Sequence, residues 1–390
     1  MEAGMAVKAG VLAAHKDAEV IVKPLADGGE GTTDALIEGL NGERVDVTVT
    51  GPYHEPVNAY YGYLKDTNTA VMEMASAAGI TISEQKDPMI ATTYGVGEMI
   101  LHAINKGIRN FIIGIGGSAT NDGGIGMLKA LGFTFLDKDG QDTGEGGQAL
   151  AKVASVRLSD NAELLSQCNF KIACDVTNPL CGFQGATYIY GPQKGVTSEM
   201  LPVLDAGMEN YAKVTSQTIG KDNMNASGAG AAGGLGFAFL SYLNGELTPG
   251  IQLILNAVHL EDEMKNADVV VTGEGRLDHQ TAMGKAPVGV AKLGKNMVQK
   301  PSLLQEASQK KPLPATKPVL MHFSRSSVES PPSVKPWIRL LPKPIWLQRW
   351  NRYSVCFNFV PFLPLPAGPS PVCQRAFFAY KTGILAADSL

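Results

Sequence analysis

Short apolar runs alternate with amphipathic segments along roughly the first three quarters of the chain. Runs such as "EVIV", "FIIGIG", "FKIAC" and "VVVTG" predict strands. Intervening segments such as "PMIATTYGVGEMILHAINKG" predict helices. Repeated strand–loop–helix units are typical of parallel sheets, in which the loops at the carboxyl ends of the strands carry function. The pattern therefore predicts an α/β fold with parallel-type sheets.

The pattern changes near Asn296. Fourteen of the 23 prolines and all three tryptophans follow it, and no helical or strand period persists. Proline lacks the backbone donor that helices and sheets use, so an irregular tail is predicted. A proline-rich linker or docking tail would be polar, whereas this tail is rich in Leu, Phe and Trp. We expect a frameshift near Lys295, because the neighbouring frame of "KPSLLQEASQKK" encodes approximately TVIASGSVTKEA, an α/β-like sequence.

Composition excludes several classes of function. The net charge of -4 gives no reason to expect a nucleic acid or a membrane surface as partner. We expect no secretion signal, and the apolar runs are too short to cross a bilayer. Five irregularly spaced cysteines form neither a disulfide framework nor a zinc site. A cytoplasmic location fits these features best.

The first glycine-rich loop is "ADGGEGT", residues 26–32. Its glycines Gly28 and Gly29 let the backbone approach a ligand. Asp27 and Glu30 are candidates for positioning Mg²⁺ or a hydroxylated substrate. A tight turn with solvated acids fits equally well.

The second such loop, "GIGGSATNDGG" at residues 114–124, fits two kinds of nucleotide site. Gly116 and its neighbours match the weak dinucleotide pattern G-x-G-x-x-A, with Asp137 as the candidate ribose-binding acid. Alternatively, the amides of Gly116, Gly117 and Ser118 bind nucleotide phosphates at a helix N-terminus.

Further polar groups surround these motifs. Asn121 and Asp122 form a cluster that dinucleotide binding does not require. Asp175, in "ACDVTNPL", is a candidate general base or Mg²⁺ ligand, with a helix-capping role as the alternative. Asn178, which turns the chain after it, and Lys194, in the loop "GPQKG", are further candidates for binding the substrate or the nucleotide. The segment "SGAGAAGGLG" is either a second anion-binding turn or a small-residue packing surface.

The most polar loop that follows a predicted strand is "TGEGRLDHQTAMGKAP". Arg276 or Lys285 could neutralise charge on a phosphoryl group during transfer. Further candidate binding residues in this loop are Glu274, Asp278 and Gln280.

Together these motifs resemble the glycerate kinases of the bacterial type-1 class, in the same order, over approximately residues 5–295. The resemblance implies phosphorylation of D-glycerate by ATP with Mg²⁺, commonly to 2-phosphoglycerate, in glycerate, glyoxylate or sugar-acid catabolism. It places in matching motifs Asp27, Glu30, Gly116, Gly117, Ser118, Asn121, Asp122, Asp175, Asn178, Glu274, Arg276 and Asp278. From the chemistry we expect the catalytic residues to be Asp175 as the base, Arg276 stabilising charge, and Asp27. We expect Asp27 and Asp175 as the Mg²⁺ ligands.

The resemblance also implies two α/β domains, one inserted into the other, with the active site between them. We predict a discontinuous outer domain from residues 1–64 and 256–297, an inserted domain from 65–255, and a disordered tail from 298–390. Because family members begin with a further strand, an inactive remnant is the alternative function. A nicotinamide-dependent oxidoreductase is a more distant alternative, and a homodimer is possible.

Overall fold

The computed structural model describes residues 2–26, 29, 31–265, 267, 269–274, 286, 289–290, 292–293, 319–324, 356–358 and 375–381. The chain folds as two compact units. The central unit spans residues 26–258, and the outer unit combines residues 1–25 with residues 259–390. The central unit is thus inserted into the outer one along the chain.

Strands and helices alternate through much of the described chain. The strands are β1 (Glu19–Leu25), β2 (Glu43–Thr50), β3 (Pro56–Leu64), β4 (Thr69–Glu73), β5 (Asn110–Gly114), β6 (Thr134–Leu136), β7 (Ser155–Arg157), β8 (Asn169–Ala173), β9 (Glu246–Thr248), β10 (Val269–Glu274), β11 (Val319–Ser324), β12 (Cys356–Asn358) and β13 (Arg375–Lys381). The helices are α1 (Glu2–Ala14), α2 (Thr32–Gly39), α3 (Ala75–Ala78), α4 (Tyr94–Asn105), α5 (Ile125–Ala130), α6 (Gly147–Leu150), α7 (Ala162–Ser166), α8 (Ala186–Tyr190), α9 (Met200–Ile219), α10 (Ala231–Tyr242), α11 (Gly250–Ala257) and α12 (Leu260–Lys265), with 3₁₀ turns at Lys65–Thr67 and Pro192–Lys194.

The central unit contains a six-stranded sheet in the order β2-β3-β4-β5-β8-β9. Its strands β4, β5, β8 and β9 run parallel, as the strand–loop–helix pattern predicts, and β2 and β3 add an antiparallel edge. β4 is buried along its whole length because helices and loops cover the sheet. Close packing also needs glycine: a Cβ on Gly95 of α4 would lie 2.0 Å from the Thr50 carbonyl oxygen.

The predicted boundary of the inserted domain at residue 65 is wrong. β2 and β3 form a hairpin that pairs with β4 through Gly62–Leu64, so residues 26–64 belong to the central unit. Position along the chain did not reveal this, because a hairpin edge can extend either sheet. The second predicted boundary, at residue 255, lies close to the observed one at Val258.

The outer unit contains a five-stranded sheet in the order β1-β13-β10-β11-β12. β13 is parallel to both β1 and β10, and β11 is parallel to β10. Three segments of the tail are therefore strands, which contradicts the prediction of irregular chain throughout residues 298–390. These segments contain no proline and are rich in apolar and aromatic residues, so backbone pairing is not interrupted there. The rest of the tail lies outside the described residues.

None of the described helices combines the length and apolar character needed to cross a membrane.

Candidate functional site

Four parallel strands of the central sheet end at one edge. Glu73 ends β4, Gly114 ends β5, Ala173 ends β8 and Thr248 ends β9. The loops that follow β5 and β8 carry the predicted phosphate loop and Asp175. Within the central unit, two of the sequence motifs therefore meet at the carboxyl edge of one sheet, where α/β proteins bind ligands.

The start of the 114–124 loop is an exposed glycine turn. Gly116 and Gly117 are exposed, whereas residues on both sides of them are buried. Among the described residues, nothing accepts a hydrogen bond from the N–H groups of Gly116, Gly117 or Ser118. Gly117 has a φ of +73°, which favours glycine because a Cβ would be strained there. This arrangement fits an anion-binding turn.

These amides are not at a helix N-terminus, contrary to the sequence interpretation. Helix α5 begins only at Ile125, and the amides of Gly124 and Gly126 at its start donate to the Asp122 carboxylate. The protein's own carboxylate therefore occupies the place where a phosphate would bind at a helix end.

Asp122 is fully buried and holds the loop in shape. Its Oδ2 accepts hydrogen bonds from the Thr93 amide at 2.9 Å, the Thr93 hydroxyl at 2.8 Å and the Gly126 amide at 3.2 Å. Its Oδ1 accepts from the Gly124 amide at 3.1 Å. Burial raises the pKa of Asp122, although these hydrogen bonds favour the charged form. Sequence reasoning missed Thr93 because it lies 29 positions earlier.

Asn121 is also fully buried. Its Nδ2 donates to the Thr187 hydroxyl at 3.1 Å, and its Oδ1 has no partner among the described residues. Asn121 and Asp122 were predicted to bind a ligand, but in the structure both side chains make hydrogen bonds within the protein. We propose that both act on binding through the shape of the loop.

Lys194 lies beneath the same loop. Its side chain is buried, with Nζ 2.7 Å from Ser118 Oγ and 2.6 Å from the Thr120 carbonyl oxygen. Burial lowers the pKa of Lys194 to about 7, while the charge of Asp122 acts in the opposite direction. The two polar motifs at residues 114–124 and 191–195 are therefore joined, although the sequence separates them by 76 positions.

Glu73 is a residue that the list of sequence candidates missed. Its carboxylate is buried and accepts hydrogen bonds from the Thr33 amide at 2.8 Å and the Gly31 amide at 3.3 Å. Burial raises the pKa of Glu73, against the effect of these two bonds. The sequence feature that could have identified Glu73 is an acidic residue at the end of a buried strand.

The two glycine-rich loops are adjacent. A Cβ on Gly116 would lie 3.9 Å from the Gly29 Cα atom. Glu73 ties the residues that follow Gly29 to the end of β4, so it fixes one loop beside the other. The predicted ligand residues Asp27, Gly28 and Glu30 lie outside the described residues.

Replacing Glu73 by alanine is expected to lower the free energy of unfolding by about 2–3 kcal/mol. One buried amide, that of Thr33, and one half-buried amide, that of Gly31, lose a charged acceptor, and Gln should recover part of the loss because it keeps one carbonyl oxygen. Denaturant unfolding of the purified protein measures the effect. The control is Glu84→Ala, which removes an exposed glutamate. Equal stability of the two alanine variants would contradict the assignment.

Asp175 lies just after β8 and is exposed. Its Oδ1 accepts a hydrogen bond from the Gly250 amide at 2.9 Å, at the start of α11. Asp175 therefore makes the helix-capping contact that the sequence analysis kept as an alternative to a catalytic role. It does not exclude a catalytic role, because an exposed carboxylate can also reach a substrate.

Asn178 supports the chain after Asp175. Its Nδ2 donates to the Gln184 carbonyl oxygen at 2.8 Å, and its Oδ1 accepts from the Tyr190 hydroxyl at 2.6 Å. Both ends of its amide are therefore engaged within the protein, and we propose that Asn178 shapes the loop.

The small-residue segment 227–236 is a packing surface for the phosphate loop. A Cβ on Gly233 would lie 2.1 Å from the Thr120 carbonyl oxygen. One on Gly234 would lie 2.7 Å from the Gly123 Cα. This close approach of two backbones accounts for the glycines without a second ligand.

The dinucleotide interpretation does not fit this loop. In that fold a helix starts directly at the glycine-rich turn, whereas α5 begins after Gly124. The candidate ribose acid Asp137 follows β6, which pairs with β7 in a separate two-stranded sheet. It is therefore not at the end of the neighbouring parallel strand.

Other predicted site residues remain predictions. Glu274 belongs to β10 of the outer unit. The remaining residues lie outside the described part of the chain, namely Arg276, Asp278, Gln280 and Lys285. Within the described part, no three His, Cys, Asp or Glu side chains form a group that could hold a metal ion.

Comparison with known proteins identifies the family. The family model described as "Glycerate kinase family" matches residues 1–312. The chain belongs to the glycerate kinase family.

Relatives of this glycerate kinase family member are similar over most of their length. It is 46% identical to a glycerate kinase from Bacillus subtilis (strain 168) over 298 residues, covering 76% of this chain and 78% of the relative. It is 43% identical to a glycerate 2-kinase from Escherichia coli (strain K12) over 296 residues, or 75% and 78% of the two chains. A solved structure described as glycerate kinase 2 from Salmonella typhimurium LT2 matches with a TM-score of 0.75 and 41% identity, covering 83% and 82%.

The family assignment gives the chain its reaction class. It is a small-molecule kinase, and the family implies ATP as a substrate. This agrees with the sequence interpretation and favours the phosphate role of the 114–124 loop over the dinucleotide role.

Proposed function

We propose that this protein transfers the γ-phosphoryl group of ATP to D-glycerate, forming 2-phosphoglycerate in glycerate, glyoxylate or sugar-acid catabolism. The observation that carries the proposal is the meeting of an exposed amide turn and an exposed carboxylate at one sheet edge. Gly116, Gly117 and Ser118 supply the amides, and Asp175 supplies the carboxylate.

The proposed chemistry assigns a role to each group. The three amides bind nucleotide phosphates and replace part of their hydration. Asp175 accepts the proton of the attacking hydroxyl group of D-glycerate. Arg276 offsets the charge of the transferring phosphoryl group, as its motif suggests. Positioning the two reactants supplies much of the acceleration.

Mg²⁺ is part of the proposal as the partner of the ATP phosphates. It typically takes one or two carboxylates from a protein and completes its shell with water and phosphate oxygens. Asp27 is the candidate ligand that is compatible with Asp175 as the base, and the exposed carboxylate of Asp175 is the alternative ligand, in place of its role as the base. When bound, the ion would neutralise charge on the phosphates.

The test uses the full chain with ATP, Mg²⁺ and D-glycerate. We expect phosphoglycerate to form only when all three are present. Enolase alone, without phosphoglycerate mutase, should convert the product, because enolase acts on 2-phosphoglycerate. Conversion that requires the mutase would show 3-phosphoglycerate and contradict the proposed site of transfer. A folded protein that forms no phosphoglycerate would contradict the kinase proposal.

The alternative is an inactive remnant of such a kinase. It is favoured by the composition of the tail and by the family match, which leaves residues 313–390 outside it. The frameshift hypothesis adds that the tail derives from a shifted frame after Lys295. Sequencing the gene across that codon in independent isolates tests it. A conserved open frame that encodes this tail would refute the frameshift.

A cytoplasmic location belongs to the same proposal. Cys168, Cys174 and Cys181 are unpaired, which suits a reducing compartment. Burial raises the pKa of Cys174, and burial raises that of Cys181 to about 12, so these thiols are unreactive. A homodimer stays a prediction.

A further inference from the structure

We propose that Lys194 is a positioning residue whose ammonium group holds Ser118 and Thr120 from beneath, so that the amide turn at Gly116–Ser118 can bind a phosphate of ATP. The inference rests on the proposed kinase function. It adds a buried residue that acts on the nucleotide without touching it.

The contacts of Lys194 all point to one loop. Nζ donates to Ser118 Oγ at 2.7 Å and to the Thr120 carbonyl oxygen at 2.6 Å, and the side chain is only 2% exposed. The two acceptors lie on either side of Ala119, directly after the exposed glycines. The ammonium group therefore fixes the end of the turn from the side opposite to solvent.

The direction of the hydrogen bond from Lys194 to Ser118 also orients the Ser118 hydroxyl group. In its charged form the Lys194 side chain has only donors, so Ser118 Oγ then acts as the acceptor in this bond. The Ser118 hydroxyl donates to no acceptor among the described residues. Its proton is thus free to join the amides of Gly116, Gly117 and Ser118 as a fourth donor toward a phosphate.

The charge of Lys194 gives a second, independent argument. Among the described residues no carboxylate lies within ion-pair distance of Nζ, and burial lowers the pKa of Lys194 to about 7. An ammonium group buried without an ion pair is unfavourable, whereas neutral donors could hold the loop at lower cost. The charge of Asp122 compensates that of Lys194 in part, and a phosphate on the amide turn would add further negative charge, which accounts for a lysine at this position.

The experiment compares Lys194→Met and Lys194→Gln with wild type. Calorimetric titration with ATP and Mg²⁺, without D-glycerate, measures the dissociation constant. Both substitutions remove the charge, and we expect each to weaken ATP binding by about 10–100-fold. The melting temperature of Lys194→Met should fall, because Ser118 Oγ and the Thr120 carbonyl oxygen lose their buried donor, whereas Lys194→Gln keeps an N–H donor and should lose less. The KM for D-glycerate should change by less than about threefold.

A double-mutant cycle tests the route through Ser118. Ser118→Ala alone should weaken ATP binding by about tenfold. Combined with Lys194→Met it should add little, because both substitutions disable the same turn. Lys221→Met is the matched control, since Lys221 is exposed and bonds only Asn244 among the described residues. Its ATP affinity should equal that of wild type.

Three results would overturn the inference. They are unchanged ATP binding in Lys194→Gln, full additivity in the cycle, and a rise confined to the KM for D-glycerate. Because ATP binding and the double-mutant cycle are measured without turnover, a wild type that binds ATP but forms no phosphoglycerate would contradict the proposed reaction and leave these two tests intact.

Discussion

Asp122→Ala is expected to lower the free energy of unfolding by about 3–5 kcal/mol. The substitution leaves the amides of Thr93, Gly124 and Gly126 without an acceptor in a fully buried site. Water cannot replace the carboxylate unless the loop opens. Urea unfolding followed by circular dichroism measures the change.

The matched control is Asp137→Ala. Asp137 also accepts two backbone amides, from Asp139 and Gln141 at 2.9 Å each, but in an exposed turn. Water can replace its carboxylate there, so we expect a loss of about 1 kcal/mol or less. Asp122→Asn keeps a carbonyl oxygen and should lie between the two variants. Similar losses for Asp122→Ala and Asp137→Ala would contradict the structural role of Asp122.

Asp175→Asn is expected to reduce kcat by about 10²–10⁴-fold. An asparagine oxygen can still accept the hydrogen bond from the Gly250 amide, so the start of α11 should be preserved. The proton acceptor, however, is lost. Steady-state kinetics with ATP and D-glycerate measures turnover, and thermal unfolding checks that stability changes by no more than about 0.5 kcal/mol.

Asp222→Asn controls for the same substitution in a purely structural contact. Asp222 accepts a hydrogen bond from the Met224 amide at 3.0 Å on the surface. Its turnover should equal that of wild type. Full turnover in Asp175→Asn would remove Asp175 from the catalytic role and leave only its capping role.

The sequence predicted well those features that depend on local pattern. The runs around Ile113 and Ile172 are buried parallel strands, and the polar loops follow their carboxyl ends. The order and length of the motifs were specific enough to identify the family, which the comparisons confirm.

Sequence reasoning failed where contacts span long separations. Asp122 and Asn121 look like ligand residues in a polar loop. In the structure, however, Asp122 accepts a hydrogen bond from Thr93 and Asn121 donates one to Thr187, and both partners lie far away along the chain. The burial of Lys194 likewise depends on a loop 76 positions away.

Edge strands were the other source of error. The β2–β3 hairpin was assigned to the wrong domain, because strand alternation does not reveal which sheet a hairpin extends. In the tail, proline content concealed short strands such as Val319–Ser324 that lie between the prolines.

The most direct test of the account is a crystal structure of the protein with a non-hydrolysable ATP analogue, Mg²⁺ and D-glycerate. We predict phosphate oxygens within hydrogen-bond distance of the amides of Gly116, Gly117 and Ser118, and a glycerate hydroxyl group beside Asp175. A triphosphate bound away from the 114–124 loop, with that turn left open to solvent, would contradict it.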